Sequence, residues 1–538
     1  YIIIFSALMS SHKHDYDYVI IGSGFGGSVS ALRLSKKGYR VLVLEKGKWW
    51  NSTNFAKTNW NLKRWMWLPV LRCWGILKLT YYRHLGIVSG VGVGGGSLVY
   101  ANTLPVPKKS FFDSESWSNL ADWEEELKDY YPLALKMLGA NLNPNMGTGD
   151  LALKEIAKDM NREEDFYSTN VAVYFGNPGK TVSDPYFSGK GPDRTGCIFC
   201  GACMVGCRHN AKNTLDKNYL HLAQKNGAKI QAESEVVDIK PIGNETGSDG
   251  YEVFWEQSTS LFFKDNGRVS CKSVIFSGGV LGTVQLLLTL KGSSLPYLSD
   301  MVGCMVRTNS EALIPITSFD KTADFSTGVA IGSIFHTGKH THIEPVRYSK
   351  GSGFWRLLIL PRVYGKSFLS RVAKMIKDLV LHPIKNIKVL FVWDWAKRTQ
   401  ILLFMQTLDS TVKFSKRKLG SRMRTELEKG KAPTPFIPEA NEYADKLAEK
   451  LNGKPMMPNN EALFGMSTTA HILGGAVMGN NKSKGVIDKN NRVFGYENLY
   501  VCDGSMISAN PGVNPSLTIT AITERAMSKI PKNKHGTF

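Results

Sequence analysis

Four cysteines stand close together in the chain, at a spacing that suits metal–sulfur chemistry. The run is Cys197-x2-Cys200-x2-Cys203-x3-Cys207. This is the spacing of a bacterial ferredoxin loop that binds a [4Fe–4S] cluster, except that Arg208 stands where a proline usually follows. The cluster needs thiolates, and nearby Lys and Arg side chains would help to deprotonate the cysteines. The alternatives are a zinc site and structural cysteines without a ligand.

A glycine-rich segment near the start of the chain has the residue types that bind a dinucleotide. It reads Gly22-Ser23-Gly24-Phe25-Gly26-Gly27 and lies between an apolar, strand-like run and a helix-like run. Gly22 permits a tight turn, Gly24 lets the backbone approach a pyrophosphate, and Gly27 lets the helix pack on the sheet. The free N–H groups at the start of the helix would bind the phosphates.

An acidic residue completes this motif. Glu45 closes a second apolar run, 40–44, and would accept hydrogen bonds from a ribose. The motif alone does not distinguish FAD from NAD. A second glycine cluster at 89–102 alternates glycines with Val and Leu, which argues against a flexible linker and indicates close backbone approach to a flat or phosphorylated molecule.

The same strand, glycine turn and helix pattern occurs again in the middle of the chain. The run 273–276 is apolar and ends in Ser277-Gly278-Gly279, after which a helical pattern continues to residue 288. We expect this second unit to lie beside the first. Residues 300–460 lack glycine motifs and are rich in Trp, Phe and Lys, which is typical of a separate substrate domain.

Composition limits the function classes. With 538 residues the chain exceeds one compact core, which favours two domains. The formal net charge of +21 is spread along the chain and favours contact with anionic surfaces. No zinc-finger spacing or RNA-binding signature accompanies this charge, so we expect no nucleic-acid partner.

The start of the chain is a poor match to a signal peptide. Its apolar stretch ends at Met9, a candidate translation start, and lacks a preceding basic segment and a clear cleavage site. No other apolar run approaches the roughly twenty residues that cross a bilayer. The cysteine pattern does not suit a secreted disulfide framework. The sequence therefore predicts a cytoplasmic protein, soluble or bound peripherally to a membrane.

The end of the chain carries motifs that identify a family. The segment 471–475, His-Ile-Leu-Gly-Gly, is followed by Asn-Leu-Tyr-Val-Cys-Asp-Gly-Ser at 498–505 and by Gly-Val-Asn-Pro-Ser-Leu-Thr-Ile-Thr-Ala at 512–521. These motifs resemble the closing signature of the glucose–methanol–choline (GMC) oxidoreductases, most closely the cholesterol oxidase branch. The segment 210–220 and the loop 94–112 resemble the same branch, so the resemblance covers nearly the whole chain.

The resemblance implies an α/β fold with two domains. A discontinuous, Rossmann-like FAD-binding domain of the GMC type is expected at residues 15–105, 205–300 and 465–532. A substrate-binding domain of the α+β class, with an antiparallel sheet, is expected at 106–204 and 301–464. The closing segment also favours FAD, because an NAD-only dehydrogenase has no need of it.

Residues from every part of the nucleotide domain are expected to contact FAD. Asp503 follows an apolar strand and can hold a ribityl hydroxyl, and Pro515 opens a helix whose N-terminus can stabilise negative charge on the reduced flavin. The full set of expected contacts is Gly22, Gly24, Phe25, Gly26, Gly27, Glu45, Gly95, Gly96, Ser97, Asn102, Val236, Gly278, Asp503, Gly504, Pro515 and Ser516.

The resemblance also assigns catalytic roles. It implies that His471 and Asn514 face the flavin and bind the substrate hydroxyl, with the imidazole as base. It further implies a glutamate that moves a proton while a double bond shifts from Δ5 to Δ4. Glu344 is our candidate, although the family's acid could align with His342 instead, and Glu344 could also be a solvated residue paired with Arg347.

Two stretches, 62–84 and 369–397, interleave aromatic and basic residues. Their tryptophans are Trp65, Trp67, Trp74, Trp393 and Trp395. The pattern is typical of a surface that contacts anionic lipid. Helices that pack on the substrate domain would show a similar pattern, and both interpretations stay open at this point.

These observations predict FAD-dependent oxidation of a sterol or steroid 3β-hydroxyl to the ketone, by hydride transfer to flavin N5, with Δ5 to Δ4 isomerisation as a further step. The electron acceptor is oxygen or an electron-transfer partner. The alternative is a GMC enzyme that oxidises a long-chain or other alcohol and passes electrons through an Fe–S cluster. A third hypothesis, an electron-transfer flavoprotein without alcohol chemistry, conflicts with the intact His471 and Asn514.

Overall fold

The computed structural model describes residues 13–417, 423–428 and 432–534. Met9 and the apolar stretch around it lie outside the described residues. Within the described ranges, no helix combines the length and the apolar character that a bilayer crossing requires.

The strands differ widely in length along the chain. In chain order they are β1 (Tyr16–Ile21), β2 (Val41–Leu44), β3 (Trp67–Leu68), β4 (Cys73–Trp74), β5 (Leu77–Tyr81), β6 (Leu85–Gly90), β7 (Asn141–Leu142), β8 (Phe166–Ser168), β9 (Asn170–Val171), β10 (Thr181–Val182), β11 (Arg194–Thr195), β12 (Lys229–Gln231), β13 (Ser234–Pro241), β14 (Tyr251–Gln257), β15 (Asn266–Phe276), β16 (Val306–Arg307), β17 (Ala312–Ser318), β18 (Ser333–Phe335), β19 (Thr341–Val346), β20 (Ile359–Pro361), β21 (Thr399–Gln406), β22 (Thr411–Lys416), β23 (Met423–Leu427), β24 (Gly453–Pro458), β25 (Ser467–Thr469) and β26 (Leu499–Val501).

The α-helices fall between these strands. In chain order they are α1 (Phe25–Lys36), α2 (Leu62–Trp65), α3 (Lys109–Phe112), α4 (Trp123–Leu127), α5 (Tyr130–Met137), α6 (Thr148–Asp159), α7 (Tyr219–Lys225), α8 (Gly279–Lys291), α9 (Phe368–Leu381), α10 (Pro383–Phe391), α11 (Trp395–Arg398), α12 (Pro438–Lys450), α13 (Asn459–Phe464) and α14 (Ser516–Ser528).

One sheet has a parallel core that brings distant turns together. Its order is β12-β2-β1-β15-β14-β13, and β26 also pairs with β15. Ile21 is in register with Leu44 and Phe276, and Phe276 is in register with Val501. Parallel strands that end in register place their following turns at one edge, which is where open α/β sheets bind ligands. The glycine motif, Glu45 and Asp503 therefore meet at this edge.

Helices cover this sheet and tie the two ends of the chain together. Helix α1 begins at Phe25, within the glycine motif, because Ser28 N–H already donates to the Gly24 carbonyl. The guanidinium of Arg33 in α1 makes two hydrogen bonds of 2.6 Å to Glu524 in α14. Glu524 also accepts from the Tyr219 hydroxyl of α7. These contacts fix α1, α7 and α14 as one layer.

A second sheet is antiparallel throughout, in the order β20-β24-β17-β21-β19-β18-β8. Helices α6 and α12 pack on one of its faces with Leu153, Ile156, Tyr443 and Leu447. The two sheets and their helices confirm the predicted α/β fold with a Rossmann-like unit and an antiparallel sheet. The residue boundaries of the two domains stay a prediction.

Candidate active site

A large cavity extends from the edge of the parallel sheet to the antiparallel sheet. Its volume is about 750 Å³. One end is lined by the glycine motif and the turns beside it, and the other by His471, Asn514 and apolar side chains. The apolar lining consists of Leu313, Pro315, Ile331, Val346, Tyr348, Trp355, Leu358, Ile359, Trp395, Ile401 and Leu403.

Most residues predicted to contact the cofactor line this cavity. They are Gly22, Gly24, Phe25, Gly26, Glu45, Gly95, Gly96, Val236, Gly278, Asp503, Gly504, Pro515 and Ser516. Gly27, Ser97 and Asn102 are not part of the lining. A Cβ on Gly27 would lie 2.0 Å from the Gly22 carbonyl oxygen, so this glycine serves helix-to-strand packing. The Ser97 hydroxyl bonds within its loop, donating to the Gly94 carbonyl, and Asn102 is fully buried.

The glycine motif leaves open space where a diphosphate would bind. A Cβ added to Gly24 meets no atom within 4 Å, whereas one added to Gly26 would lie 1.6 Å from the Cys502 carbonyl oxygen. Gly22 has a φ of +98°, which glycine adopts without strain. The first N–H groups of α1 have no partners within the helix. The site therefore fits the phosphates of a dinucleotide such as FAD.

Two buried carboxylates organise the turns around this space. Glu45 accepts from Ser23 N–H at 3.0 Å, from the Ser23 hydroxyl at 2.7 Å and from Gly47 N–H at 2.7 Å. Asp503 accepts from Ser505 N–H at 2.8 Å and from the Thr283 hydroxyl at 2.5 Å. Burial raises the pKa of Asp503. Both carboxylates therefore line the cavity and fix the turns around it.

His471 is held by a carboxylate that the sequence analysis missed. The Nδ1 atom of His471 lies 3.0 Å from Glu311 Oε1. Glu311 also accepts from the Thr469 hydroxyl at 2.7 Å and from Ala470 N–H at 3.0 Å. In the sequence, Glu311 is recognisable only as a glutamate directly before the apolar strand β17. The pairing between Glu311 and His471 arises only in the tertiary structure, since 160 positions separate them.

The pair shifts the pKa values of both partners. Burial alone would lower the pKa of His471, but the charge of Glu311 and its hydrogen bond outweigh burial, and the pKa is raised. Burial alone would raise the pKa of Glu311, but His471 and the other donors hold it below its ordinary value. With Nδ1–H directed to Glu311, the Nε2 atom is left for the cavity.

Asn514 joins His471 to Glu344. Its Nδ2 atom lies 3.4 Å from His471 Nε2 and donates to Glu344 Oε2 at 3.2 Å. Glu344 is fully buried, and Arg347 pairs with Asp150 instead. The interpretation of Glu344 as a solvated partner of Arg347 is therefore wrong, because residues three apart on a strand point to opposite faces.

His342, the alternative to Glu344, lies one step farther from Asn514. It stands two positions before Glu344 on β19 and shares its face. Its Nε2 atom is 3.5 Å from Glu344 Oε1. The structure therefore puts Glu344, and not His342, in direct contact with Asn514.

The cysteine run lies away from this group. Cys197, Cys200, Cys203 and Cys207 line a separate cavity of about 20 Å³, and the part of the chain that the structure describes has no set of three or more His, Cys, Asp or Glu side chains arranged to hold a metal ion. The predicted [4Fe–4S] or zinc site therefore finds no support.

Burial also disfavours the thiolate forms of three of these cysteines. It raises the pKa of Cys200 to about 11 and also raises the pKa of Cys197 and of Cys203. The amine of Lys212 does not offset this effect of burial on the thiols. It is buried itself, and burial lowers its pKa to about 7. Its hydrogens are donated to the carbonyls of Leu98, Tyr100 and Cys203.

Of the two interpretations left open for the aromatic and basic stretches, core packing accounts for most of their tryptophans. Trp65, Trp67 and Trp395 are buried, and Trp65 packs edge to face on Trp355. Only Trp393 of that set is largely exposed, at 91%. The aromatic pattern of 62–84 thus reflects core packing, because a tryptophan gains more from burial than from a wet surface.

Comparison with known proteins agrees with this arrangement. Residues 396–523 match the GMC oxidoreductase family, and residues 20–49 match the NAD(P)-binding Rossmann-like domain. The chain is 45% identical to a cholesterol oxidase of Acinetobacter baumannii, covering 97% of this chain and 96% of the relative. It is 44% identical to a cholesterol oxidase of Mycobacterium tuberculosis, covering 96% and 92%.

More distant proteins are also similar to this chain. A long-chain-alcohol oxidase of Arabidopsis thaliana is 23% identical, covering 96% of this chain and 67% of the relative. The crystal structure of pyridoxine 4-oxidase from Mesorbium loti superposes with a TM-score of 0.59 at 16% identity, covering 95% of this chain and 98% of that one.

Proposed function

The chain belongs to the GMC oxidoreductase family, in its cholesterol oxidase branch, and from this premise we propose that it oxidises the 3β-hydroxyl of a sterol to a ketone. The glycine motif, Glu45 and Asp503 at the edge of the parallel sheet would hold FAD, and the bound flavin would supply the hydride acceptor at its N5 atom. Oxygen is the electron acceptor. The observation that most directly supports this proposal is the lining of one cavity. The dinucleotide motif, His471 and Asn514, and a long apolar wall all line it.

The polar pair at the end of the apolar wall binds the hydroxyl. His471 Nε2 and Asn514 Nδ2 lie 3.4 Å apart, close enough to contact the same oxygen atom. Nε2 takes the hydroxyl proton, and Glu311 stabilises the imidazolium that forms. Asn514 donates to the same oxygen and orients the carbon-bound hydrogen. The apolar wall excludes water and binds the sterol rings, at about 25 cal/mol for each Å² of apolar surface buried.

Glu344 carries out the isomerisation step. Its carboxylate is buried and accepts a hydrogen bond from Asn514, one of the two residues proposed to bind the substrate hydroxyl. It removes a proton from C4 of the 5-en-3-one and returns a proton to C6, so that the double bond moves from Δ5 to Δ4. No electron is gained or lost in this step.

A long-chain alcohol is the second substrate class to test. The apolar wall would also accept an alkyl chain, but the relatives that act on such alcohols are the more distant ones. The associated route, in which a cluster at Cys197 to Cys207 carries the electrons, has no support in the cysteine geometry.

The enzyme docks on anionic membranes through a helical hairpin formed by α9 and α10. No side chain of α9 is buried. The exposed apolar residues of the hairpin are Phe368, Leu369, Ile376, Leu379, Val380, Leu381, Ile384, Ile387, Leu390 and Phe391. Lysines at 374, 377, 385 and 388 accompany them. An apolar face with basic residues beside it is the pattern of a helix that lies in a lipid headgroup layer.

The hairpin is connected to the substrate end of the cavity. The Arg356 guanidinium donates to the carbonyls of Leu390 and Val392, at 3.4 and 3.2 Å. Arg356 lies between Trp355 and Leu358, which line the cavity. A sterol that leaves the membrane at this hairpin would reach the cavity without crossing bulk water.

The proposed chemistry is tested by anaerobic mixing with cholesterol, followed by the flavin absorbance band. We expect the band to bleach in the wild type. We expect His471→Ala to retain FAD and to bleach about 100- to 10,000-fold more slowly, the usual contribution of a general base. His340→Ala serves as control, because His340 is exposed, bonds to the Thr407 hydroxyl and lies outside the cavity lining. Wild-type rates in His471→Ala, or bleaching by long-chain alcohols alone, would overturn the assignment.

A further inference from the structure

Tyr348 brings a phenol to the apolar wall of the cavity. It lines the cavity together with Val346, Trp355 and Trp395, and it is only 7% exposed. Its ring is tilted by 57° against that of Trp355, with the ring centroids 6.3 Å apart. A hydroxyl group in apolar surroundings costs free energy unless it finds a hydrogen-bond partner, so a phenol at this place needs an explanation.

The protein leaves the hydrogen of this hydroxyl unused. Burial raises the pKa of Tyr348 far above its ordinary value, and a hydrogen bond from Trp355 acts in the opposite direction without cancelling the rise. The phenol is therefore neutral and keeps its hydrogen. An indole N–H can only donate, so Trp355 interacts with the phenol oxygen. Among the described residues, 13–417, 423–428 and 432–534, no group accepts the phenol hydrogen.

Strand β19 sets the position of Tyr348 along the wall. Val346 and Tyr348 line the cavity, whereas Arg347 between them turns away into a buried ion pair. Side chains thus alternate between two faces, and Glu344 belongs to the same face as Val346 and Tyr348. Glu344 accepts from Asn514 at the catalytic end. Four residues of extended chain separate Glu344 from Tyr348, which corresponds to about 13 Å.

This separation suits a steroid that lies along the strand. With its 3β-hydroxyl at His471 and Asn514, a four-ring nucleus that extends along β19 would bring ring D to Tyr348. The neighbouring strand β21 adds Leu403 and Ile401 to the apolar lining between the two ends. The substituent on ring D would therefore meet the phenol hydrogen.

We propose that Tyr348 is a hydrogen-bond donor that recognises a ketone oxygen at C17 of a 3β-hydroxysteroid. The proposal rests on the alcohol oxidation proposed above and names a substrate class for the same cavity. A ketone oxygen can only accept, which matches a site that offers a hydrogen. A steroid without this oxygen leaves the buried donor unpaired, and such a site discriminates against it.

The test compares two steroids that differ only at C17, with the FAD-loaded enzyme. The probes are 3β-hydroxyandrost-5-en-17-one and androst-5-en-3β-ol. Anaerobic flavin bleaching gives a half-saturation concentration for each. Tyr348→Phe keeps the ring and removes the donor, so we expect it to weaken saturation by the ketone about three- to tenfold relative to the 17-deoxy steroid. Tyr348→Met, a second variant without a donor, should change the ratio in the same direction.

Tyr364→Phe is the matched control, because Tyr364 donates to Asn441 and lies outside the cavity lining. Its ratio of half-saturation concentrations should equal that of the wild type, and thermal unfolding confirms that each variant folds. An unchanged ratio in Tyr348→Phe would overturn the proposal. Equal weakening of both steroids would also overturn it, because the phenol would then serve packing alone.

The same measurement distinguishes this proposal from the proposed function. Bleaching by cholesterol but by neither C17 probe would overturn the role of Tyr348 and leave the oxidation of sterols intact. A flavin that none of the three steroids bleaches would instead mean that the proposed function fails.

Discussion

At the scale of single residues, the role of His471 as a base depends on Glu311, which holds the ring nitrogen that does not face the substrate. Glu311 holds Nδ1 of His471, is completely buried, and leaves Nε2 for the substrate. A carboxylate in this place fixes the ring orientation and makes the imidazole more basic. Glu311 is thus a positioning residue that acts through His471.

Replacing Glu311 tests this role through the pH profile. The base works when His471 is neutral, so the rate of flavin reduction falls as the pH drops through the raised pKa. Glu311→Gln removes the charge that raises this pKa, so we expect the acid limb to move to lower pH and the plateau rate to fall about 10- to 100-fold. Stopped-flow reduction between pH 5 and 9 measures both.

Glu439→Gln is the control, because Glu439 accepts from Thr341 and makes no contact with His471. An acid limb at the same pH in Glu311→Gln and in the wild type would contradict the proposed role of Glu311.

Gly24 and Gly26 are close in sequence but have different surroundings: Gly24 faces open space, whereas Gly26 packs against the protein backbone. Gly24→Ala adds a methyl group where the protein leaves open space, so we expect the variant to fold normally and to bind FAD at least about tenfold more weakly. Gly26→Ala would drive its Cβ against the Cys502 carbonyl, so we expect little folded protein. Thermal unfolding and fluorimetric FAD titration measure both. Unchanged FAD affinity in Gly24→Ala would contradict the phosphate assignment.

At the scale of elements, strand register decides which side chains meet. The parallel strands β1, β2, β15 and β26 end together and place the cofactor turns at one edge. The pairing of β25 with β6, with Thr469 opposite Ile87, directs His471 towards the same space. Helices α9 and α10 are different, because they contribute an exposed apolar face.

The hairpin's role in membrane binding is tested by placing a charge on that face. Val380→Asp is expected to reduce co-sedimentation with phosphatidylserine vesicles several-fold, because a carboxylate resists burial in lipid and is repelled by anionic headgroups. Turnover of cyclodextrin-bound cholesterol should stay unchanged.

Phe263→Asp provides the matched control. Phe263 is fully exposed and lies on the loop between β14 and β15, in the sheet with the parallel core. Equal binding to neutral and anionic vesicles would contradict the electrostatic part of the proposal. A change in oligomeric state on Val380→Asp, without vesicles, would instead indicate that a second copy covers this face.

At the scale of the whole molecule, the cofactor site joins the two ends of the chain. Gly24 and Asn514 line the same cavity, and Arg33 pairs with Glu524 behind it. The bound cofactor would therefore stabilise contacts between segments that are far apart in sequence.

Removing FAD should lower the stability of the whole chain. At a free cofactor concentration about a thousand times Kd, binding adds about 4 kcal/mol to the free energy of unfolding. We therefore expect the apoprotein to unfold several degrees below the holoenzyme in calorimetry, and FAD addition to restore the melting temperature. Identical melting temperatures would contradict a cofactor site shared between the two ends.

The sequence alone determined the fold class, the family and the cofactor motif, because these depend on local patterns. The glycines around Gly24 and the closing motif at Asn514 are readable from residue type and spacing. Tertiary structure alone decided the partners of those residues. Glu311 meets His471 across 160 positions, and the cysteines at 197–207, despite their spacing, are not arranged to hold a metal ion in the described structure. Such contacts depend on strand register and burial, which local spacing does not encode.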